Sequence, residues 1–422
     1  MTEEFLSFLW KYRLYDADCL KVEGNKIQVL STGELNRDSG PDFFNARLKM
    51  DDTIWAGNIE IHQKASDWNR HGHDKNAAFD NVVLHITGEN DAPVYTSKGR
   101  HVPTIILNFD PLHLSKYNSL MQTNRWIPCA DYLLSVEPVI ISSILSKMGI
   151  ERLEFRTNLI TDDLGKSIND WEEVFYRYLA RSFGFHVNSH PFEMLARSIP
   201  YIMVKKHGHQ RLQLEALFFG QAGFLLDDYS KDDYYNSLRE EYNFLRAKYD
   251  LQTIEPHLWK FMRLRPGNFP TIRIAQFVAM LNTNVSLFAA VLDASTTKSL
   301  HEILLADVSA YWQNHYTFGN PSPLKTKSLG RLSADVLIIN TIVPFYFIYG
   351  KKTGKVEFQD KAMKFLEEIE AEGNAIVRLW KQVGIKPKNA FESQALLHLK
   401  SEYCDRKRCT ECGIGVKIIS KG

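Results

Sequence analysis

The sequence predicts an α/β (α+β) N-terminal domain with a mixed sheet, followed by a mainly α-helical domain. Three observations predict it. Residues 26–109 are crowded with short runs of β-branched and aromatic residues, helical spacing takes over after about residue 135, and 422 residues are too many for one compact core. The expected division is an α/β domain over 1–115, a helical domain over 116–395 and a cysteine-containing tail over 396–422.

The elements follow in order. Phe5, Leu6, Leu9, Trp10 and Leu14 recur at helical spacing, with Thr2 placed to cap and acids in the first turn. Five strands come next: KIQVLSTG, FFNARLKM, TIWAGNIEIHQK, NVVLHITG and PTIILNF, punctuated by Gly, Asp and Asn. Between the third and fourth, SDWNRHGHDKNAAFDN reads as a short helical crossover capped by Ser66. Further on, Trp171, Val174, Phe175, Tyr178, Leu179 and Phe183 form one helical stripe and Tyr235, Leu238, Tyr242, Leu245 and Tyr249 another. Ser299 with Glu302 reads as a capping box. The apolar run from Val336 to Tyr349 is shorter than the roughly 20 residues of a membrane span and reads as a buried helix, kinked or broken at Pro344. GNPSPLKTKS, residues 319–328, reads as an exposed loop.

Basic and acidic side chains balance at 51 against 50, which excludes a global field drawing the chain to nucleic acid or membrane. The acidic, amphipathic N-terminus lacks the marks of a secretory signal, so a cytoplasmic address and no membrane association are expected. Protein partners and oligomeric state are not legible in the sequence.

The chemistry concentrates in SGPDFFNARLKMDDTIWAGNIEIHQKASDW, residues 39–68. Strand periodicity puts Glu60, His62 and Lys64 on one face and Ile59 and Ile61 on the other. A hairpin through Asp51 and Asp52 would bring Asp42 beside them. Two carboxylates on adjacent strands suit a hard divalent cation, Mg²⁺ or Mn²⁺.

Pro41-Asp42 followed by Glu60-Ile61-His62, within a helix, three strands, a helix and a strand, resembles the PD-(D/E)XK phosphodiesterase superfamily. The resemblance implies a restriction-endonuclease-like fold, with Asp42, Glu60 and the Ile61 carbonyl as metal ligands and His62 in the place of the catalytic lysine. It also implies a further acid on the first helix, Glu3 or Glu4. Histidine lacks lysine's permanent charge and reach, and Lys64 on the same face is the candidate substitute. GPDF, IEIH-x3-SDW-x2-H-x-H, VVLHI, RPGNFPTIRIAQF, SQALLHLKSEYC and CTECGIG further resemble a bacterial family of uncharacterised function over the full length.

His71, His73 and His85 join His62 as candidate site histidines, forming either a second metal site or a phosphate-binding and proton-transfer cluster. The alternative is a surface turn at HGH and a hydrogen-bonded core histidine at 85. Cys404, Cys409 and Cys412 have the spacing of a metal knuckle, expected to hold Zn²⁺ with His398 as fourth ligand. An iron–sulfur cluster completed by Cys19 or Cys129 is the second expectation, implied by resemblance to some nucleases of the same superfamily. Arg406, Lys407 and Arg408 are candidates for contact with a nucleic-acid backbone.

The leading expectation is a metal-dependent nuclease. The alternatives are a non-catalytic nucleic-acid-binding or assembly protein that retains the sheet, and a zinc-type hydrolase of a small substrate.

Overall fold

The structure is a computed structural model and describes residues 1–22, 24–226 and 231–421. The chain forms two compact units, one of residues 1–146, 382–384 and 397–422, the other of residues 147–381 and 385–396.

In the first unit, helix α1 (Glu3–Tyr12) starts as its sequence dictates: the Thr2 hydroxyl accepts the Phe5 N–H at 3.3 Å and Glu3 and Glu4 occupy the first turn. Phe5, Leu6, Phe8, Leu9 and Trp10 are buried, and α1 packs on the sheet. All five expected strands are present, with two additional strands of two residues. In chain order they are β1 (Lys21–Val22), β2 (Asn25–Ser31), β3 (Glu34–Leu35), β4 (Phe43–Met50), β5 (Thr53–Lys64), β6 (Val82–Glu89) and β7 (Thr104–Ile106). The sheet order is β1-β2-β4-β5-β6-β7, with β3 also paired to β4.

Strands β4 and β5 form the expected hairpin, closing at Met50 opposite Thr53, with Asp51 at φ 51°. Strands β5, β6 and β7 are mutually parallel, so the sheet is mixed. The β5–β6 crossover contains helix α2 (Asp67–Arg70) and two short 3-10 turns, His73–Lys75 and Ala77–Phe79. Its start differs from expectation: the Ser66 hydroxyl donates to the Asp91 carboxylate at 2.8 Å instead of capping α2. Trp68, Phe79, Val82, Val94 and Val102 form the small core beneath this crossover.

Helix α3 (Pro111–Gln122) belongs with this unit because Tyr117 reaches α1, its ring 4.9 Å from that of Phe5 and its hydroxyl 3.0 Å from that of Thr2. The unit therefore extends to residue 146, inside helix α4 (Pro138–Lys166), beyond the expected boundary at 115. It also takes in residues 397–422, so the expected tail is part of the sheet-bearing unit.

The second unit is mainly helical around one large core. Both aromatic stripes form helices, Trp171–Phe183 and Asp233–Tyr249. Phe277 is a centre of packing, its ring between 4.9 and 6.4 Å from those of Tyr176, Phe183, Phe192 and Phe218. The helix Thr297–Leu304 begins earlier than expected: Thr296 is its cap and Ser299 completes the box. Pro344 does not break its helix, because the preceding Ile338–Ile342 adopts a wide π turn that absorbs the missing donor. The resulting helix, Arg331–Thr353, is long and apolar enough to cross a membrane by length and composition, and 67% of its apolar window is buried inside the protein. In the expected loop at 319–328, Lys327 is instead buried, donating to the His315 carbonyl at 2.8 Å.

Candidate active site

Strand β5 carries the site because it lies inside the sheet, between β4 and β6, and its segment Gly57–His62 is buried. Glu60 is opposite His85 of β6, and His62 is opposite Thr87. On the other side Asp42 immediately precedes β4, where Phe43 is opposite Ile59. The acids clasp each other's strand: an Asp42 carboxylate oxygen accepts the Ile61 N–H at 2.9 Å, and Glu60 accepts the Asp42 N–H at 3.1 Å. Asn36 shapes the entry to this clasp, its side-chain amide donating to the carbonyls of Asp38, Ser39 and Pro41 at 3.1–3.2 Å.

Asp42 is held well above the ordinary carboxyl range, at about 7, by burial first, then by the Glu60 charge and more weakly by Glu3. Glu3 is thus the α1 acid that acts on the site. Glu4 is bonded to the Thr410 hydroxyl at 2.7 Å and to Tyr117.

The other polar face of Glu60 meets the histidines. Its second oxygen lies 3.3 Å from His73 Nε2 and 3.5 Å from His62 Nε2. His62 Nε2 is also 3.2 Å from His71 Nδ1, while His62 Nδ1 is 2.9 Å from His85 Nε2. His85 Nδ1 in turn is 3.2 Å from the Thr104 hydroxyl. Trp68 packs edge-on to the His62, His73 and His85 rings, and His73 stacks on Phe79 at 3.7 Å. The ligand atoms of His62, His71 and His73 all fall within 4.8 Å of one another.

The hydrogen bonds assign the protons. The Thr104 hydroxyl donates to the Val102 carbonyl, so it accepts from His85 Nδ1–H. His85 Nε2 is then an acceptor, filled by His62 Nδ1–H, and His62 Nε2 is left presenting its lone pair. Burial, then His85, His73 and His71, push His62 down to about 2, so the ring is neutral and carries one proton only. Burial and His73 likewise lower His85 to about 4. A proton on His71 Nδ1 satisfies the His62 lone pair in the metal-free protein, and a cation can take that proton's place.

Several expected residues stand apart. Lys64 shares the face of His62 but lies beyond the buried segment, paired with Glu89 at 2.9 Å. Ile61, whose carbonyl is the expected third ligand, has its side chain buried on the opposite face, while its N–H binds Asp42. Arg406 pairs with Glu402 at 2.8 Å, Lys407 donates to the Met121 and Thr123 carbonyls, and Arg408 pairs with Glu411 at 2.5 Å. The cysteines form a separate cluster within the same unit. Of the site members, Asn36 and Thr104 were not singled out by the sequence, because Asn36 lies in a loop before β4 and Thr104 opens the apolar strand β7, where neither is marked by a motif.

Fold and site together define a mixed-sheet α/β unit bearing a carboxylate–histidine centre that runs from the buried Glu60, His62 and His85 to the exposed His71, and a helical unit. The chain belongs to the family described as Protein of unknown function (DUF2851), whose model matches residues 3–375. No curated protein and no solved structure matches it.

Proposed function

We propose that the protein is a divalent-metal-dependent phosphodiesterase acting on nucleic acid, with Glu60, His62, His71 and His73 holding the metal and Asp42 beside it. The observation that carries this reading is the convergence of a Glu60 oxygen and the His62 lone pair, both acceptors, at 3.5 Å, with two further histidines around them. A cation bound there would satisfy several acceptors at once. Both carboxylates already give one oxygen to the backbone, and imidazole nitrogens dominate the remaining donors. That mixed set suits Mn²⁺ or Zn²⁺ better than Mg²⁺, which the two acids alone suggest.

A bound ion supplies an acidified water and a counter-charge for a phosphoryl oxygen. Asp42, beside that site, would accept the proton of the attacking water on its carboxylate oxygen. Thr104 and His85 fix the His62 tautomer, and Trp68 walls the rings from water. The lysine's role does not pass to His62, which is neutral, or to Lys64, which is turned to Glu89.

Nucleic acid as the substrate class is supported by position. Helix α1, the antiparallel run β2-β4-β5, the crossover and parallel β6 follow the order that the PD-(D/E)XK resemblance implies, with acids at the matching places and Glu3 on α1. The histidine-rich donor set favours one second reading, a zinc-type hydrolase of a small phosphorylated or acyl substrate.

The test uses metal-stripped protein reloaded with Mg²⁺, Mn²⁺ or Zn²⁺ and offered single- and double-stranded DNA and RNA, beside a small aryl phosphodiester and an aryl ester. Cleavage of nucleic acid with Mn²⁺ or Zn²⁺, lost in Glu60→Ala and Asp42→Ala, is expected. Turnover of a small substrate alone would favour the second reading. Salt-dependent binding without cleavage under every metal would overturn both in favour of a binding protein.

A further inference from the structure

Four of the five cysteines meet at one place in the first unit, and none of the five is in a disulfide. Cys404 ends the wide-turn helix Leu399–Cys404. The chain then reverses through Lys407, at φ 51°, with Lys407 N–H bonded to the Cys404 carbonyl. Cys409 and Cys412 follow, and Cys412 caps the helix Gly413–Ser420. Gly415 lets that helix close on the knuckle: a Cβ there would lie 2.2 Å from the Cys409 carbonyl oxygen.

This knuckle is fastened along the segment that contains Cys129. Lys407 donates to the Met121 and Thr123 carbonyls, Lys400 lies 5.1 Å from the Trp126 ring centre, and Lys421 donates to the Ser135 carbonyl at 3.0 Å. Farther out, His113 donates to the Ile419 carbonyl at 2.7 Å, and Gly413 abuts Ile144. Attachments on both sides of residue 129 hold its segment against the knuckle, and Cys129, Cys409 and Cys412 are all buried.

The thiols sense one another. After burial, Cys412 and Cys409 push the Cys129 thiol up, while Cys129, Cys412 and Cys409 do the same to Cys404. The His398 ring lies edge-on to that of Tyr403, with centroids 6.4 Å apart. Cys19 is exposed, its thiol donating to Asp16 at 2.9 Å.

We propose that Cys129, Cys404, Cys409 and Cys412 are the four ligands of one thiolate-bound metal centre that ties the C-terminal segment to the sheet-bearing unit. Four thiols crowded together, three of them buried, favour a bound cation when they ionise, and a metal held by residues 275 positions apart, 129 and 404, closes a long loop. Both zinc and an iron–sulfur cluster share this ligand chemistry. Among the described residues the close trio within 4.8 Å is histidine, not cysteine.

The experiment uses the full chain carrying His62→Ala, to empty the first site, purified without oxygen. Iron, zinc and acid-labile sulfide are measured together with the visible absorption spectrum. We expect bound metal that falls to roughly a tenth or less in Cys129→Ser and in Cys409→Ser, and stays unchanged in Cys19→Ser and His398→Ala. Iron with sulfide and a visible band identifies a cluster, and colourless zinc identifies a mononuclear site; either supports the centre. Metal retained in Cys129→Ser, or a folded parent protein without metal whose four thiols all react with a thiol reagent, would overturn it. Because the parent is itself measured, misfolding of a variant cannot hide the answer.

Discussion

Asp42→Asn tests the electrostatics of the site directly. The amide is nearly isosteric and its oxygen can still accept the Ile61 N–H, so the substitution removes chiefly the charge. Asp42 is raised from 3.8 to about 7 in the fold. Between about pH 4 and 7 the folded protein therefore holds a proton that the unfolded chain releases. Stability lost on that account grows as pH rises through this window and levels off above it. The whole gap corresponds to roughly 4 kcal/mol at 1.36 kcal/mol per pH unit. Residual solvent access brings the expected effect to about 2 kcal/mol. In the presence of chelator, Asp42→Asn should stabilise the protein by about that amount at pH 8 and by nearly nothing at pH 4. Amide hydrogen exchange of β4 and β5 reports this locally, without requiring two-state unfolding of a chain with two units. A gain equal at the two pH values, or a loss at pH 8, would refute the reasoning.

Three further outcomes follow from the same geometry. Thr104→Val removes the acceptor of His85 Nδ1–H; it should weaken Mn²⁺ or Zn²⁺ binding about 10- to 100-fold by titration calorimetry and destabilise the unit by about 1–3 kcal/mol. Lys64→Ala should leave both metal affinity and cleavage unchanged, because the ammonium belongs to Glu89; a loss of cleavage in the assay would return Lys64 to the catalytic set. Gly57→Ala should destabilise by about 1–3 kcal/mol in denaturant titration, since the added methyl would meet Val83 Cγ1 at 2.4 Å and the Asn81 carbonyl oxygen at 2.5 Å.

The strands were legible because β4 and β5 are apolar runs joined by Asp51-Asp52, which sets the hairpin register; the bulge between Phe43 and Ala46, with Asn45 at φ 57°, shifts that register by one residue beside Asp42 and carries no sequence signal. The histidines were legible as candidates but not as one centre. His71 and His73 lie in a crossover without periodicity, and only the turn of α2 and the stack on Phe79 carry them over His62. Glu3 and Glu4 could not be separated by sequence, since one helical step of about 100° sends the first toward Asp42 and the second toward Thr410. Lys64 misled because alternation fixes the face but not where burial along the strand ends. Cys129 was one of two candidates, and nothing local to it points 275 residues onward to Cys404; the fastening of the C-terminal segment at Met121 and Ser135 is what makes it the one proposed.

The most direct measurement of the central claim is anomalous diffraction from crystals soaked in Mn²⁺, collected at the manganese edge and paired with cleavage assays of the same preparation. The account predicts a peak within about 2.5 Å of Glu60 and of the His62 and His73 rings, lost in Glu60→Ala together with cleavage. Manganese-dependent cleavage with no peak there, or a peak that survives Glu60→Ala unchanged, would contradict it.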